Sequence, residues 1–279
     1  MEAERERGAS DGPWARAVVL SGSALFLGLF VVAPLAQIAW GALEGGPQAW
    51  LTAFGEDGRA AALLTLAALL ASLPINVTFG LAAAWALARR RFRGRELLLA
   101  LIDLPFTVSP VVSGLVFVLL FGAQSSLGRW LVDHDMPIVF AAPGIILATV
   151  FVTFPLVARE LIPLLEELGD EEDLAALSLG ASPWTMFWRV TLPNLRWGLL
   201  YGVTLSAARA LGEFGAVSVV SGHIRGRTNT LPLHIEALYN EYNLSAAFAA
   251  AATLGAAALV GLTLRRAVAK RLAAQAHED

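Results

Sequence analysis

Apolar blocks long enough to cross a bilayer recur along this chain, and nothing else in it constrains the fold as strongly. A helix needs roughly 20 apolar residues to cross ~30 Å of hydrocarbon. Six segments meet that length, near residues 17–42, 61–88, 97–122, 138–158, 197–221 and 244–264. The expectation is an all-α membrane protein with six transmembrane helices. Composition points the same way: 57% of the residues are hydrophobic and 15% charged, against about 25% charged in a typical soluble domain.

Basic residues flanking the spans set the orientation, because cytoplasmic loops collect Arg and Lys. With the N-terminus inside, Arg89, Arg90, Arg91, Arg93 and Arg95 all fall on the cytoplasmic side, as do Arg265, Arg266, Lys270 and Arg271. Only Arg59, Arg129, Arg225 and Arg227 fall outside. Both termini are then cytoplasmic, as an even span count requires. The first apolar run is too long for the ~7–15-residue core of a cleaved signal peptide, so it is expected as a retained span. Three connections exceed a tight turn: two outside, 123–137 and 222–243, and one inside, 159–196.

Several function classes drop out early. The chain has no cysteine, so it has no thiolate metal site and no Cys nucleophile. His223 and His234 are too far apart for a local metal pair, and no metal is assigned. A Walker A loop ends in Gly-Lys-Ser/Thr; the single lysine, Lys270, lies in the C-terminal tail, so no ATP site is expected. A net charge of -3 makes no case for nucleic acid. The spans hold no Ser/Lys, Asp/Asp or His-rich constellation of an intramembrane enzyme, so no catalytic residue is assigned.

The inside connection is the most informative stretch. Gly169 is expected to end a short helix. Asp170 is a good N-cap, and Glu171, Glu172 and Asp173 put negative charge in a first turn, where the helix dipole favours it. Gly180 breaks the pattern. Ser182 can cap a second helix with Pro183 in its first position, carrying Trp184, Met186, Phe187, Trp188 and Val190. That helix is expected to stop before Pro193, since the residue preceding a proline is pushed from helical geometry. Such a segment could lie in the membrane interface, or it could plug a groove on a soluble partner.

The same stretch resembles the signature of ABC-importer permeases: Glu-Ala-Ala, three residues, Gly, nine residues, an aliphatic, one residue, Leu-Pro. Ala175, Ala176, Gly180, Val190, Leu192 and Pro193 occupy matching places, with Leu174 where the family has Glu. From Trp188 to Asn243 the chain is similar to CysW-type permeases of sulfate/thiosulfate importers, and the tract SGHIRGRTNTLPLHIEALYNEYN is its most specific part. The resemblance implies a type I ABC-importer permease fold in the cell inner membrane. It divides the chain into a cytoplasmic tail at 1–16, a first helix and outside loop at 17–60, a permease core at 61–264 and a cytoplasmic tail at 265–279. It also implies two permease subunits lining the pathway, with the second chain expected to be different but homologous. An ABC ATPase dimer would carry ATP and Mg and grip the coupling segment. Within that segment Pro183, Trp184 and Phe187 join the motif residues as expected contacts. An extracytoplasmic binding protein would deliver the anion. The chain itself binds no cofactor on this reading. The alternative within the class is a permease for molybdate or tungstate; a stand-alone secondary transporter would not need the long inside loop.

Polar groups inside the spans supply the remaining candidates. Arg209 and Glu213 are four apart and can pair on one helix face, either neutralising each other or placing positive potential near the route of a dianion. Pro105 and Pro110, with Ser109, Ser113 and Gly114, suggest a bent third span with a small polar face, a candidate for lining the pathway or for close packing. Asn76 and Pro74 suggest the same for span two, less strongly. Asp103 is expected near the interface. Gly198 and Gly202 permit close helix approach. Outside, His223, Arg225 and Arg227 cluster beyond span five, where they could steer a dianion, dock acidic residues of a binding protein, or simply face solvent.

Overall fold

The computed structural model describes residues 13–275; the expected tail segments at 1–12 and 276–279 lie outside the described residues. Every regular element among the described residues is helical. The chain opens with α1 (Pro13–Leu27), a π-helical segment (Gly28–Val32) and α2 (Ala33–Glu44), which hold the first candidate span, Arg16–Glu44. A short α3 (Gly46–Ala53) leads into α4 (Glu56–Arg89). Next come α5 (Arg95–Thr107), α6 (Pro110–Phe121), α7 (Ser126–Asp133) and α8 (Ala142–Leu168). The second half holds α9 (Glu171–Ser178), α10 (Pro183–Met186), a π-helical turn (Phe187–Thr191), α11 (Leu192–Leu211) and α12 (Gly215–Ser221). The chain finishes with α13 (Leu231–Asn240) and α14 (Leu244–Gln275).

Four helices are long and apolar enough to cross a membrane, or six if each of two bent pairs is one span. The expected third span is α5 plus α6, bent by 107°, and the expected fifth is α11 plus α12, bent by 51°. The first bend follows from its prolines. Val108 and Ser109 are extended, and Pro110 opens α6, where its missing N–H costs nothing. At the second bend Gly212, Glu213 and Phe214 leave helical geometry.

Contacts identify the two ends of the bundle. At one, Arg95 pairs with Glu166 at 2.6 Å and Arg89 with Asp173 at 3.1 Å. At the other, the Leu231 N–H donates to Thr65 Oγ1 at 2.7 Å, and the Phe140 N–H to the Val220 carbonyl at 2.8 Å. Both bent pairs run from the first end to the second. Helix α8 is the central post, packed against α4, α11, α12 and α5. Leu87, Ile102, Val157, Leu161, Leu165 and Leu195 fill the core at the Arg-rich end. Ala68, Ile145, Ala148, Val152, Val217 and Val220 fill it farther along.

Small and polar residues hold this core, as expected where lipid removes the hydrophobic drive between helices. A Cβ on Gly198 would meet Leu164, and one on Gly202 the backbone of Val157, so the pair seats α11 on α8 as its spacing predicts. Asn76 is fully buried and donates to Thr153 Oγ1 at 2.7 Å and Ser206 Oγ at 3.0 Å, stitching α4 to α8 and α11. The Asn76 amide nitrogen thus serves close packing, one of its two expected roles, while its Oδ1 is buried without a hydrogen-bond partner among the described residues. By contrast, the apolar stretch of the first span is unburied within this chain and touches the bundle only near its end, where Ala42 joins α3, α13 and α14.

Several expected boundaries shift. Helix α4 starts at Glu56 rather than 61, and α8 continues through Pro155 and Pro163 to Leu168, ten residues past the expected end of the fourth span. The segment from 265 to 275, expected as a tail, continues α14.

Candidate functional site

The segment between α8 and α11 is shorter and better ordered than an open loop. Gly169 ends the long α8, not a separate short helix. Asp170 sits at the N-cap of α9 without a side-chain capping bond. The acidic first turn is instead used in ion pairing. Asp173 is buried, pairs with Arg89 at the end of α4 and accepts from Thr191 Oγ1 at 2.8 Å. Arg89 also donates to the Gly169 carbonyl, and Asn194 of α11 donates to Glu172. The segment is thus clamped to α4 and α11 by charge-assisted bonds, the stronger class of hydrogen bond. Leu174, at the position of the family Glu, is exposed, while the acid one residue earlier is the clamp.

Ala175 and Ala176 close α9, and their carbonyls accept from the N–H groups of Leu179 and Ala181. The Ala181-to-Ala176 and Gly180-to-Leu177 bonds form a Schellman stop, which needs positive φ at its turn residue. Gly180 has φ +87°, a conformation side chains disfavour. Ser182 then accepts from the Thr185 N–H at 3.2 Å and Pro183 opens α10, as predicted. Pro193 does not end the helix. Leu192 stays helical, and its N–H reaches the Phe187 carbonyl across a π-helical turn containing Val190. The wider turn absorbs the bond that Pro193 cannot make, so α10 runs on into α11.

What this segment exposes is apolar. Leu179 is 90% exposed and Trp184 71%, with Leu174, Leu177 and Trp188 also exposed. Trp184 packs on Trp188 at 5.5 Å between ring centroids, and Phe187 on Trp188 at 5.6 Å. A clamped base bearing an exposed aromatic cluster fits the anatomy of a docking surface, whose anchors are aromatic and aliphatic side chains.

Deeper in the bundle, Arg209 Nη1 lies 2.6 Å from Glu213 Oε2. The predicted pair forms, but not on one continuous helix, since α11 ends between them. Glu213 is 1% exposed at its side chain and accepts from the Ala216 N–H at 3.0 Å. It therefore caps the start of α12 while neutralising Arg209, whose side chain is 40% exposed. Ser109 and Ser113 part company. Ser109 is exposed at the bend, whereas Ser113 is buried beside Gly114, where a Cβ would lie 2.6 Å from the Ala216 carbonyl. Gly114 thus makes the α6–α12 contact, while the Ser113 hydroxyl donates to the Ser109 carbonyl at 3.2 Å.

Sequence reasoning missed a further pair. Asp103 Oδ1 lies 3.1 Å from Arg159 Nε, and the Arg159 guanidinium stacks over Phe106 at 5.0 Å. Arg159 was expected just past a span; on the extended α8 it lies nine residues before the end, roughly 14 Å deep along the helix. The two residues are 56 apart in sequence, so no local spacing could signal the contact.

At the opposite end, the expected loop at 222–243 contains α13, with Leu231, Leu233, His234 and Leu238 buried. His234 shares a hydrogen bond with the Ala53 carbonyl at 3.0 Å. His223 lies 3.9 Å from Glu236, and Arg225 pairs with Glu241. Of the three candidate contacts, Arg227 alone makes no ion pair among the described residues.

Residues 76–274 match the family described as the binding-protein-dependent transport system inner membrane component. The chain is 50% identical over 247 residues to the sulfate transport system permease protein CysW of a Synechocystis strain, covering 88% of this chain and 90% of that one. It is 54% identical over 209 residues to the Escherichia coli protein of the same name, covering 75% and 72%. The CysT permease of the E. coli sulfate transport system is more distant, at 39% over 248 residues, covering 86% and 87%. In fold, the chain is similar to a chain of a bacterial alginate ABC transporter solved with its alginate-bound periplasmic protein, with a TM-score of 0.78, 16% identity, and 93% and 95% of the two chains covered.

Proposed function

The chain belongs to the binding-protein-dependent transport system inner membrane component family, and we propose from that premise that it is the CysW-type permease subunit of a sulfate ABC importer. One observation carries this reading. Identity is 49–54% to CysW permeases but 39% to a CysT permease over a comparable length. The chain is a transport subunit and not itself an enzyme. Its polytopic, all-helical build supports placement in the inner membrane with six spans, each bent pair counted as one, and both termini cytoplasmic. The Arg-rich end then faces the cytoplasm, as the positive-inside rule requires.

The pathway forms against a second permease, for which the homologous CysT-type chain is the natural partner. The exposed surface around Leu179, Trp184 and Trp188 seats an ATPase subunit, which carries ATP and Mg. The clamp gives that contact leverage. Motion imposed on α9 and α10 passes through Asp173–Arg89 to α4 and through the unbroken π-helical junction to α11, so whole helices move together. Such rigid-body displacement of packed helices is a standard route for switching access. An extracytoplasmic binding protein delivers sulfate or thiosulfate at the opposite end, where Arg227 makes no ion pair among the described residues. Arg209, half-exposed and balanced by Glu213, supports weak transient attraction of a dianion rather than tight capture.

Uptake of labelled sulfate, in cells lacking this chain and in cells with it restored, tests the proposal. Restored uptake that thiosulfate competes supports it. Loss and restoration of molybdate accumulation, with sulfate uptake unchanged by the deletion, would keep the architecture and overturn the substrate.

A further inference from the structure

The Arg-rich end holds a cavity beside the coupling clamp, sharing Arg89 with it. It measures about 630 Å³ and lies between the end of α4, the start of α5 and the end of α8. Arg89, Arg90, Arg91 and Arg95 line it, with Glu166 and Asp170 as the acids. Two of these arginines are held rigidly. Arg89 is fixed by Asp173, and Arg95 by Glu166 and by a bond from its Nε to the Leu87 carbonyl at 3.0 Å. The other two are not neutralised. Arg90 lies over the Trp85 ring at 5.4 Å, and neither Arg90 nor Arg91 has an ion-pair partner among the described residues. The cavity is thus a concave surface with two fixed and two adjustable guanidiniums, which suits the planar, bidentate recognition of a tetrahedral oxyanion.

Its surroundings point to the source of that oxyanion. Phe92, Leu97 and Leu101 are exposed immediately beyond the arginines. Basic pockets at the cytoplasmic ends of transmembrane helices hold anionic lipid head groups, and an apolar strip beside one would take the acyl chains. We propose that this cavity is a binding site for the phosphate of an anionic phospholipid head group. The proposal rests on the cytoplasmic orientation given above. Arg93, exposed and absent from the cavity lining, provides a matched control, since it carries the same charge on the same turn.

The test uses the full chain assembled with its partner subunits in vesicles of equal phosphatidylglycerol and phosphatidylcholine, followed by detergent exchange and quantification of retained lipid. Phosphatidylglycerol should be retained selectively. Retention in Arg90→Gln/Arg91→Gln should weaken by roughly thirty-fold, as expected for two surface arginines, and Arg93→Gln should stay near the unaltered protein. A second arm adds millimolar inorganic phosphate or sulfate. No displacement identifies the lipid as the occupant. Displacement that the double variant abolishes also supports the site and shows that it reads the free oxyanion. Equal losses in Arg93→Gln and the double variant would reveal diffuse surface charge and overturn the proposal, as would retention without preference for phosphatidylglycerol. Sulfate uptake by the unaltered chain decides the importer reading separately, so either conclusion can fail without the other.

Discussion

The two ends of the bundle differ in how deeply their ion pairs sit and in what those pairs hold in place. At the Arg-rich end, Asp173, Glu172 and Glu166 are tied to Arg89, Asn194 and Arg95, while Leu179, Trp184 and Trp188 are left in the open. At the other end, His223 and Arg225 lie against Glu236 and Glu241, and the leucines of α13 are buried beneath them. The first arrangement fixes a base beneath an exposed apolar tip; the second buries the leucines of α13 but leaves Tyr239, Tyr242 and Trp130 exposed beside surface ion pairs. A partner that pushes needs the first kind of surface. A partner that docks and leaves can work with the second, through groups outside those pairs such as Arg227.

Breaking the clamp should have the largest effect. Arg89 and Asp173 are 13% and 11% exposed at their side chains, and removing one member of a nearly buried pair strands the other charge at a cost of about 3 kcal/mol. Asp173→Asn should therefore lower the denaturation midpoint in detergent and abolish sulfate uptake. Arg89→Leu/Asp173→Leu should recover part of the stability but not the uptake, because the link to α4 is gone. If the double variant transports normally, the clamp is not the lever.

Substituting the exposed tip should separate binding from folding. Leu179→Ala and Trp184→Ala remove surface contacts, so the chain's own stability should change by less than about 0.5 kcal/mol. Retention of the ATPase during copurification should nevertheless weaken by roughly thirty-fold, equivalent to about 2 kcal/mol for an anchor residue. Unchanged retention in both variants would place the docking surface elsewhere. Gly180→Ala comes next. At φ +87° an alanine costs roughly 1 kcal/mol, which should appear as faster proteolysis between α9 and α10 and a modest loss of coupled ATPase activity.

The smallest effects belong to the opposite end. Arg225 and Glu241 are about half exposed, and such pairs contribute about 0–1 kcal/mol, so Arg225→Ala should barely alter the melting temperature. Arg227→Glu should reduce stimulation by the binding protein more than Arg225→Glu does. The reverse order would mean that the Arg225–Glu241 pair opens on docking.

Some of this organisation is visible in one dimension because its causes are local. The spans follow from hydrocarbon thickness, the first bend from Pro105 and Pro110, and the turn at Gly180 from glycine's access to positive φ. Ser182 and Pro183 mark the start of α10 by capping chemistry alone. What stays hidden depends on distant residues meeting. Arg89–Asp173 and Asp103–Arg159 join elements far apart in the chain, and no periodicity encodes them. Helix α13 escapes notice because it is only ten residues long and carries His234 and Glu236; His234 is buried against the Ala53 carbonyl, and Glu236 lies half-buried beside His223. The continuation through Pro193 defies the usual rule because a π-helical turn, itself a tertiary accommodation, removes the need for the missing bond. The sequence singles out Trp184, Arg209 and Glu213 as candidates, whereas Arg89, Asp173 and Leu179 become candidates only in the folded chain.

The absence of native cysteine allows the contrast between the two ends to be measured directly. Leu179→Cys and Arg227→Cys would each carry one reactive thiol, probed with a membrane-impermeant maleimide on intact cells and on inverted vesicles. Position 227 should be labelled only in cells with a permeabilised outer barrier. Position 179 should be labelled only in inverted vesicles stripped of the ATPase, and be protected when the ATPase is restored. Labelling of position 179 from outside, or its indifference to the ATPase, would contradict the assignment of the clamped, greasy end as the surface through which the importer is driven.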